Sequence, residues 1–184
     1  TWTVNAGGGN DTDTVGAVEI LDFTDRDVVL DNAQQTFSGD GASDVLWRNT
    51  SGLIATWSML GAAQTGGAVV GNVGAEWTIS GTGDFSADGR DDILWRRDDG
   101  LVFIWNDASS TAGVFVASAG TAWNIAGVGD FNFDGRDDFL WRNDATGQVA
   151  VWTMNGAAVA TQNVIADAGA EWSLSLIHIS EPTR

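Results

Sequence analysis

Two stretches decide the fold: DFSADGRDDILWR, from Asp84 to Arg96, and DFNFDGRDDFLWR, from Asp130 to Arg142. They lie 46 residues apart, and a weaker copy, TFSGDGASDVLWR from Thr36 to Arg48, precedes the first by 48. Further landmarks keep the same period: Trp57, Trp105 and Trp152, then Trp77, Trp123 and Trp172. A period of this length marks a repeat architecture in which each unit buries its apolar face against a neighbour. The repeats divide residues 36–173 into units 36–83, 84–129 and 130–173, the last breaking off before its next Gly-Asp-Phe.

Within the second unit the apolar residues fall in short runs: Asp92–Arg96, Leu101–Trp105, Gly113–Ala117 and Trp123–Val128. Each is rich in Val, Ile, Phe or Trp and is bounded by turn formers, which predicts strands. Asp98-Asp99-Gly100 predicts a tight hairpin turn, and Asn143–Gly147 fills the same place in the third unit. No stretch carries helical apolar spacing over three turns. The expected fold is all-β: a partial β-propeller of about three four-stranded blades, with a β-sandwich or stacked β-solenoid as the alternative. Three blades do not close a ring, so the outer faces should expose apolar surface, at the C-terminal end near Trp141, Val151 and Trp152.

The ends read differently. Residues 1–35 do not fit the period and are expected to be a degenerate blade or the tail of an upstream domain. Their Gly7–Thr12 stretch reads as a Gly-rich turn. Leu174–Arg184, LSLIHISEPTR, resembles a translated sequencing adapter and is excluded from fold reasoning. The start at Thr1 and the break after Ser173 suggest a piece of a longer protein.

Composition narrows the function. The 184 residues carry 25 acidic and 8 basic side chains, a formal charge of −17, and every basic residue is Arg. No phosphate-tracking patch can be built from that set, so nucleic acid is not an expected partner, nor is membrane insertion. The absence of Cys excludes disulfide, thiolate and Cys-zinc chemistry. Ten Trp and 43% hydrophobic residues argue for a packed core despite the charge. Asp91–Asp92 and Asp137–Asp138 resemble catalytic carboxylate pairs, but they recur in each unit where a catalytic pair should occur once, so no enzyme is expected.

The loop opening each unit carries the chemistry. Oxygen-bearing residues fall at alternate positions: Asp84, Ser86, Asp88, Arg90 and Asp92 in the second copy, and Asp130, Asn132, Asp134, Arg136 and Asp138 in the third. Positions one, three and five can turn side chains inward, Gly89 and Gly135 permit a sharp bend, and position seven offers a backbone carbonyl. A closing carboxylate at position nine should lead into a strand. An all-oxygen set of this kind points to Ca²⁺. The alternative is an Asp-Gly turn whose carboxylates cap backbone amides. The first copy is poorer, with Ser38, Asp40, Ala42 and Asp44 as its donors.

DFNFDGRDDFLWR followed by GQVAVWTMNG resembles the FG-GAP or VCBS-type repeats of bacterial secreted and surface proteins. The resemblance spans residues 36–173. It implies a propeller with a calcium ion in each loop, an extracellular or cell-surface setting, and a role in adhesion, in glycan binding or as a non-catalytic part of a larger enzyme. Partners would be calcium and glycans or cell-surface proteins. Trp47, Trp95 and Trp141 are expected to pack between blades, whereas Trp77, Trp123 and Trp172 are the candidates for sugar contact. Arg48, Arg96 and Arg142 are expected to pair with loop carboxylates.

Overall fold

The computed structural model describes residues 3–5, 12–14, 19–23, 26–30, 35–169 and 171–172, with side chains from Gln35 onward. The expectation for Leu174–Arg184 falls outside the described residues, as does that for the Gly7–Thr12 turn except for Thr12, which begins a strand. Two short hairpins stand near the N-terminus: β1 (Thr3–Asn5) with β2 (Thr12–Thr14), and β3 (Glu19–Phe23) with β4 (Arg26–Leu30). The first sheet pairs β5 (Val45–Arg48), β6 (Leu53–Trp57) and β9 (Ala68–Asn72), and β7 (Met59–Leu60) with β8 (Ala63–Gln64) form a separate ribbon. The second sheet is the antiparallel meander β10 (Trp77–Gly83), β11 (Asp92–Arg97), β12 (Leu101–Trp105) and β13 (Gly113–Ser118). The third repeats it as β14 (Trp123–Gly129), β15 (Asp138–Asn143), β16 (Gln148–Asn155) and β17 (Ala158–Asp167).

The chain is therefore all-β, with no α-helix and no closed barrel among the described residues, and is compatible with a partial propeller or a sandwich. The four runs read in the second unit are strands to within a residue at each end. Their grouping is staggered, because the fourth run of a sequence repeat becomes the first strand of the next sheet. Trp123–Gly129 pairs with Asp138–Asn143, not with Gly113–Ser118. The second and third loops thus join the first and second strands of their sheets, and the first loop leads into β5.

Strand alternation sorts the apolar residues onto two faces. In the second sheet Ile93, Trp95, Phe103 and Trp105 meet the first sheet around Phe37, Ile54 and Val70. Leu94, Val102 and Ile104 on the other face meet Phe139, Trp141 and Ala150 of the third. The Phe at loop position two plugs each joint: Phe37 and Phe85 are buried, and Phe85 packs edge-on to Phe139 at 5.0 Å. Phe131, in the last loop, is exposed.

Trp95 and Trp141 are each 1% exposed, as expected of residues packed between units, but Trp47 is 46% exposed. Among the described residues no sheet lies over Trp47 as the first sheet lies over Trp95. The expected open surface near Trp141 and Trp152 is also corrected. Trp141 is buried against the second sheet with Trp152 packed beside it, and exposed apolar side chains stand instead at Trp47, Trp57 and Val69 of the first sheet and at Val164 and Ile165 of the third.

Candidate metal loops and the contacts between sheets

The three loops share one backbone course. Position four has positive φ at Gly39 (72°), Ala87 (59°) and Phe133 (61°), as does position six at Gly41 (76°), Gly89 (82°) and Gly135 (81°). Glycine adopts that conformation without strain, and Ala and Phe do so at a cost. The position-one carboxylate organises the bend. Asp84 accepts from the N–H groups of Asp88 at 3.1 Å and Gly89 at 2.8 Å, and Asp130 accepts from those of Asp134 at 3.2 Å and Gly135 at 2.9 Å. The position-five carboxylate then accepts from position seven: Arg90 N–H to Asp88 and Arg136 N–H to Asp134, both 2.9 Å, and Ala42 N–H to Asp40 at 2.9 Å. Ser86 Oγ donates to Asp84 at 3.3 Å, and the Asn132 amide donates to Asp134 at 3.0 Å.

Position nine behaves differently. Asp92 and Asp138 are buried at the start of β11 and β15, and Asp44 is buried just before β5. Each carboxylate bridges the loop to the end of the strand that follows its own, β6, β12 or β16. Asp92 accepts from Phe85 N–H at 3.1 Å and Asp107 N–H at 2.8 Å, and Asp138 accepts from Phe131 N–H at 3.0 Å and Met154 N–H at 2.8 Å. Asp44 does the same with Ser38 N–H and Met59 N–H. Burial, reinforced by the charges of Asp84 and Asp88, pushes Asp92 up to about 7 against the hydrogen bonds it receives. Asp138 is raised for the same reasons, with Asp134 and Asp130 as the like charges.

Asp107 is a further carboxylate in the second loop's neighbourhood. Burial raises its pKa, as do the charges of Asp88 and Asp84, while Arg90 opposes them. Its place is taken by Met154 in the third unit, so the period could not reveal it.

The loop carboxylates are thus turned onto backbone N–H groups. No three acidic side chains come together as a metal cage among the described residues. The donor set nevertheless fits a hard cation. It is all oxygen, it lies on two loops of one conformation, and its position-nine carboxyls Asp92 and Asp138 are raised by burial and by the like charges beside them. The first loop fits less well. Thr36 Oγ1 and Ser38 Oγ are buried without a hydrogen-bond partner, and only Asp40 and Asp44 bring charge.

The first Asp of each Arg-Asp-Asp ties neighbouring units together, a role the repeat hid behind its resemblance to a catalytic pair. Asp137 N–H donates to Asp84 O at 3.0 Å, and Asp84 N–H returns a bond to the Asp137 carboxylate at 2.9 Å. Asp91 N–H donates to Thr36 O at 2.9 Å in the same way. Burial, with added repulsion from Asp84, pushes both carboxyls up to about 6.

The arginines correct an expectation. They bind carbonyls of the strap leading to the next sheet, not loop carboxylates. Arg48 donates to Trp77 O and, at 2.7 Å, to Gly74 O. Arg96 donates to Gly100 O and to Ala119, Gly120 and Trp123 carbonyls at 2.9–3.2 Å. Arg142 donates to Gly147, Gly169 and Trp172 carbonyls at 2.5–2.7 Å. Backbone carbonyls exposed by the strap's turn are better placed than the loop carboxylates, whose oxygens already accept N–H bonds. Arg48 and Arg96 also lie 5.9 Å and 5.2 Å over the Trp95 and Trp141 rings of the next sheet.

The three sugar-contact candidates part company. Trp77 is engaged, edge-on to Phe103 at 5.2 Å and under Arg97 at 5.4 Å. Trp123 lines an open cleft of about 350 Å³ with Trp141, Trp152 and Asn163. Trp172 is exposed.

No helix among the described residues is long and apolar enough to cross a membrane. No curated protein and no solved structure matches this chain. Residues 84–141, the span from the second loop to the Trp of the third, form an FG-GAP-like repeat.

Proposed function

We propose that this chain is a calcium-binding repeat module of a secreted or cell-surface protein, acting in adhesion or carbohydrate binding and carrying no reaction of its own. FG-GAP-like repeats typically occur in extracellular or surface proteins. The observation that carries the reading is the pair of matched loops, in which a position-one Asp curls the backbone about itself at Asp84 and again at Asp130. Asp84, Ser86, Asp88, the Arg90 carbonyl and Asp92 would hold one ion. Asp130, Asn132, Asp134, the Arg136 carbonyl and Asp138 would hold the other. A bound dication would neutralise carboxylates of like charge gathered in one short loop. The residues themselves shape the loop, and position nine fastens it to the third strand.

Calcium binding only the folded loop stabilises it by mass action. The melting temperature should therefore rise on adding CaCl2 and fall in EDTA, and identical melting curves would remove the metal from the account. The cleft beside Trp123 and Trp152 supports the carbohydrate reading over that of a spacer or accessory domain, since aromatic rings flank an open polar-edged space. A glycan array separates the two, with the spacer reading predicting no calcium-dependent signal.

A further inference from the structure

The second and third sheets share one row of side chains and fill it differently. In the second, Trp95 pairs with Phe103, and Phe103 with Phe115. The Phe103 ring occupies the row, edge-on to Trp77 at 5.2 Å and 5.5 Å from Phe115. In the third, the same register sets Trp141 beside Ala150 and Ala150 beside Val164. Two phenyl rings are thus replaced by a methyl and an isopropyl group, while Trp123 stands where Trp77 does, ahead of the loop. The first unit also has small residues in this row, Ala55 and Val69 beside Trp47, but Val29 stands where the leading Trp would be. A leading Trp and an emptied row therefore coincide only in the third unit.

What the missing rings leave is the cleft of about 350 Å³ lined by Trp123, Trp141 and Trp152. That is at the small end of the roughly 300–1,000 Å³ typical of ligand sites. Its floor is apolar and buried, with Trp141 1% and Ala150 4% exposed, and the exposed Gln162 and Asn163 set amides at its rim. No charged residue lines it, although the chain carries a net charge of −17. Aromatic walls, amides at the edge and no charge suit a ligand that is ring-sized, neutral, apolar on one face and hydroxylated at its edge. We propose that this cleft binds one neutral pyranose ring, and that Ala150 and Val164 are the residues that open it. The proposal rests on the carbohydrate reading above and narrows it to one site in the third unit.

Titrating the full chain with the methyl pyranosides of glucose, galactose, mannose and N-acetylglucosamine tests it, read by NMR on the indole N–H signals of Trp123 and Trp152. At least one sugar should shift both signals. Ala150→Phe restores the ring that the second unit holds at Phe103, and should weaken that titration by at least about tenfold. Should that variant not fold, Val164→Phe, at an exposed site on β17, should do the same. No shift by any of the four sugars, or a titration unchanged in the folded variants, would overturn the proposal. So would shifts by p-cresol and by no sugar, which would assign the cleft to an aromatic side chain of a protein partner. A glycan array tells the two failures apart. Hits that survive Ala150→Phe would leave the carbohydrate reading in place without this cleft, and a blank array would remove both.

Discussion

Replacing Arg96 by Ala tests the arginine's part in joining sheets. Its guanidinium donates to four carbonyls, Gly100, Ala119, Gly120 and Trp123, and sits 5.2 Å over the Trp141 ring. A hydrogen bond to a charged group is worth about 1.5–3 kcal/mol, and a partly desolvated cation–π contact about 1 kcal/mol. The contributions do not add, because the strap is only partly buried and water can reach some of the freed carbonyls. We therefore expect a loss of about 3 kcal/mol, or roughly 6–12 °C in melting temperature for a chain of this size. Urea unfolding followed by Trp fluorescence reads it. Arg96→Lys should recover less than half, since an ammonium keeps the charge but not the planar fork. Arg97→Ala, which removes only an exposed pair with Asp99 and a contact over Trp77, should change far less. A loss below about 1 kcal/mol for Arg96→Ala, or one equal to that of Arg97→Ala, would refute the argument.

Three further outcomes follow from the same contacts. Gly71→Ala should destabilise by about 1–3 kcal/mol, because the new Cβ would sit 2.6 Å from the Trp105 ring; unchanged urea unfolding would contradict the packing. Phe133→Gly should be neutral or stabilise by up to about 1 kcal/mol, since Phe133 is 93% exposed with φ 61°; a clear loss of stability would show that the ring has a partner. In EDTA, stability should rise as pH falls from about 7 towards 5. Burial raises Asp91 and Asp137 to about 6 and Asp92 to about 7, so in that window the folded state binds more protons than the unfolded one. A melting temperature that drops steadily from pH 7 to 5 would contradict that sign.

The strands of the second and third units were legible because their apolar runs are short, β-branched or aromatic, and cut by Gly and Asp. Asp92 opens β11 and Asp98–Gly100 makes the hairpin, as the composition demands. The stagger of repeats against sheets was not legible. Trp123–Gly129 carries no mark of whether it pairs backward with Gly113–Ser118 or forward with Asp138–Asn143, and only the loop's turn selects the latter. The loop conformation could be read from the Gly at position six, but not from position four, where Ala87 and Phe133 adopt a glycine-like φ. Arginine partners were misjudged because charge suggests carboxylates, whereas the structure had already committed those carboxylates to N–H groups. Asp91 and Asp137 were hidden for a related reason. Their partners lie one unit away, at Thr36 and Asp84, and no local spacing reports that.

Equilibrium dialysis against ⁴⁵Ca²⁺ at neutral pH tests the central reading most directly. Two ions should bind per chain, falling to one with Asp84→Asn or Asp130→Asn and to none with both, while Asp40→Asn leaves the count at two. No bound calcium in the parent chain, or a count unmoved by the paired substitutions, would leave the two loops as hydrogen-bonded turns and contradict the account.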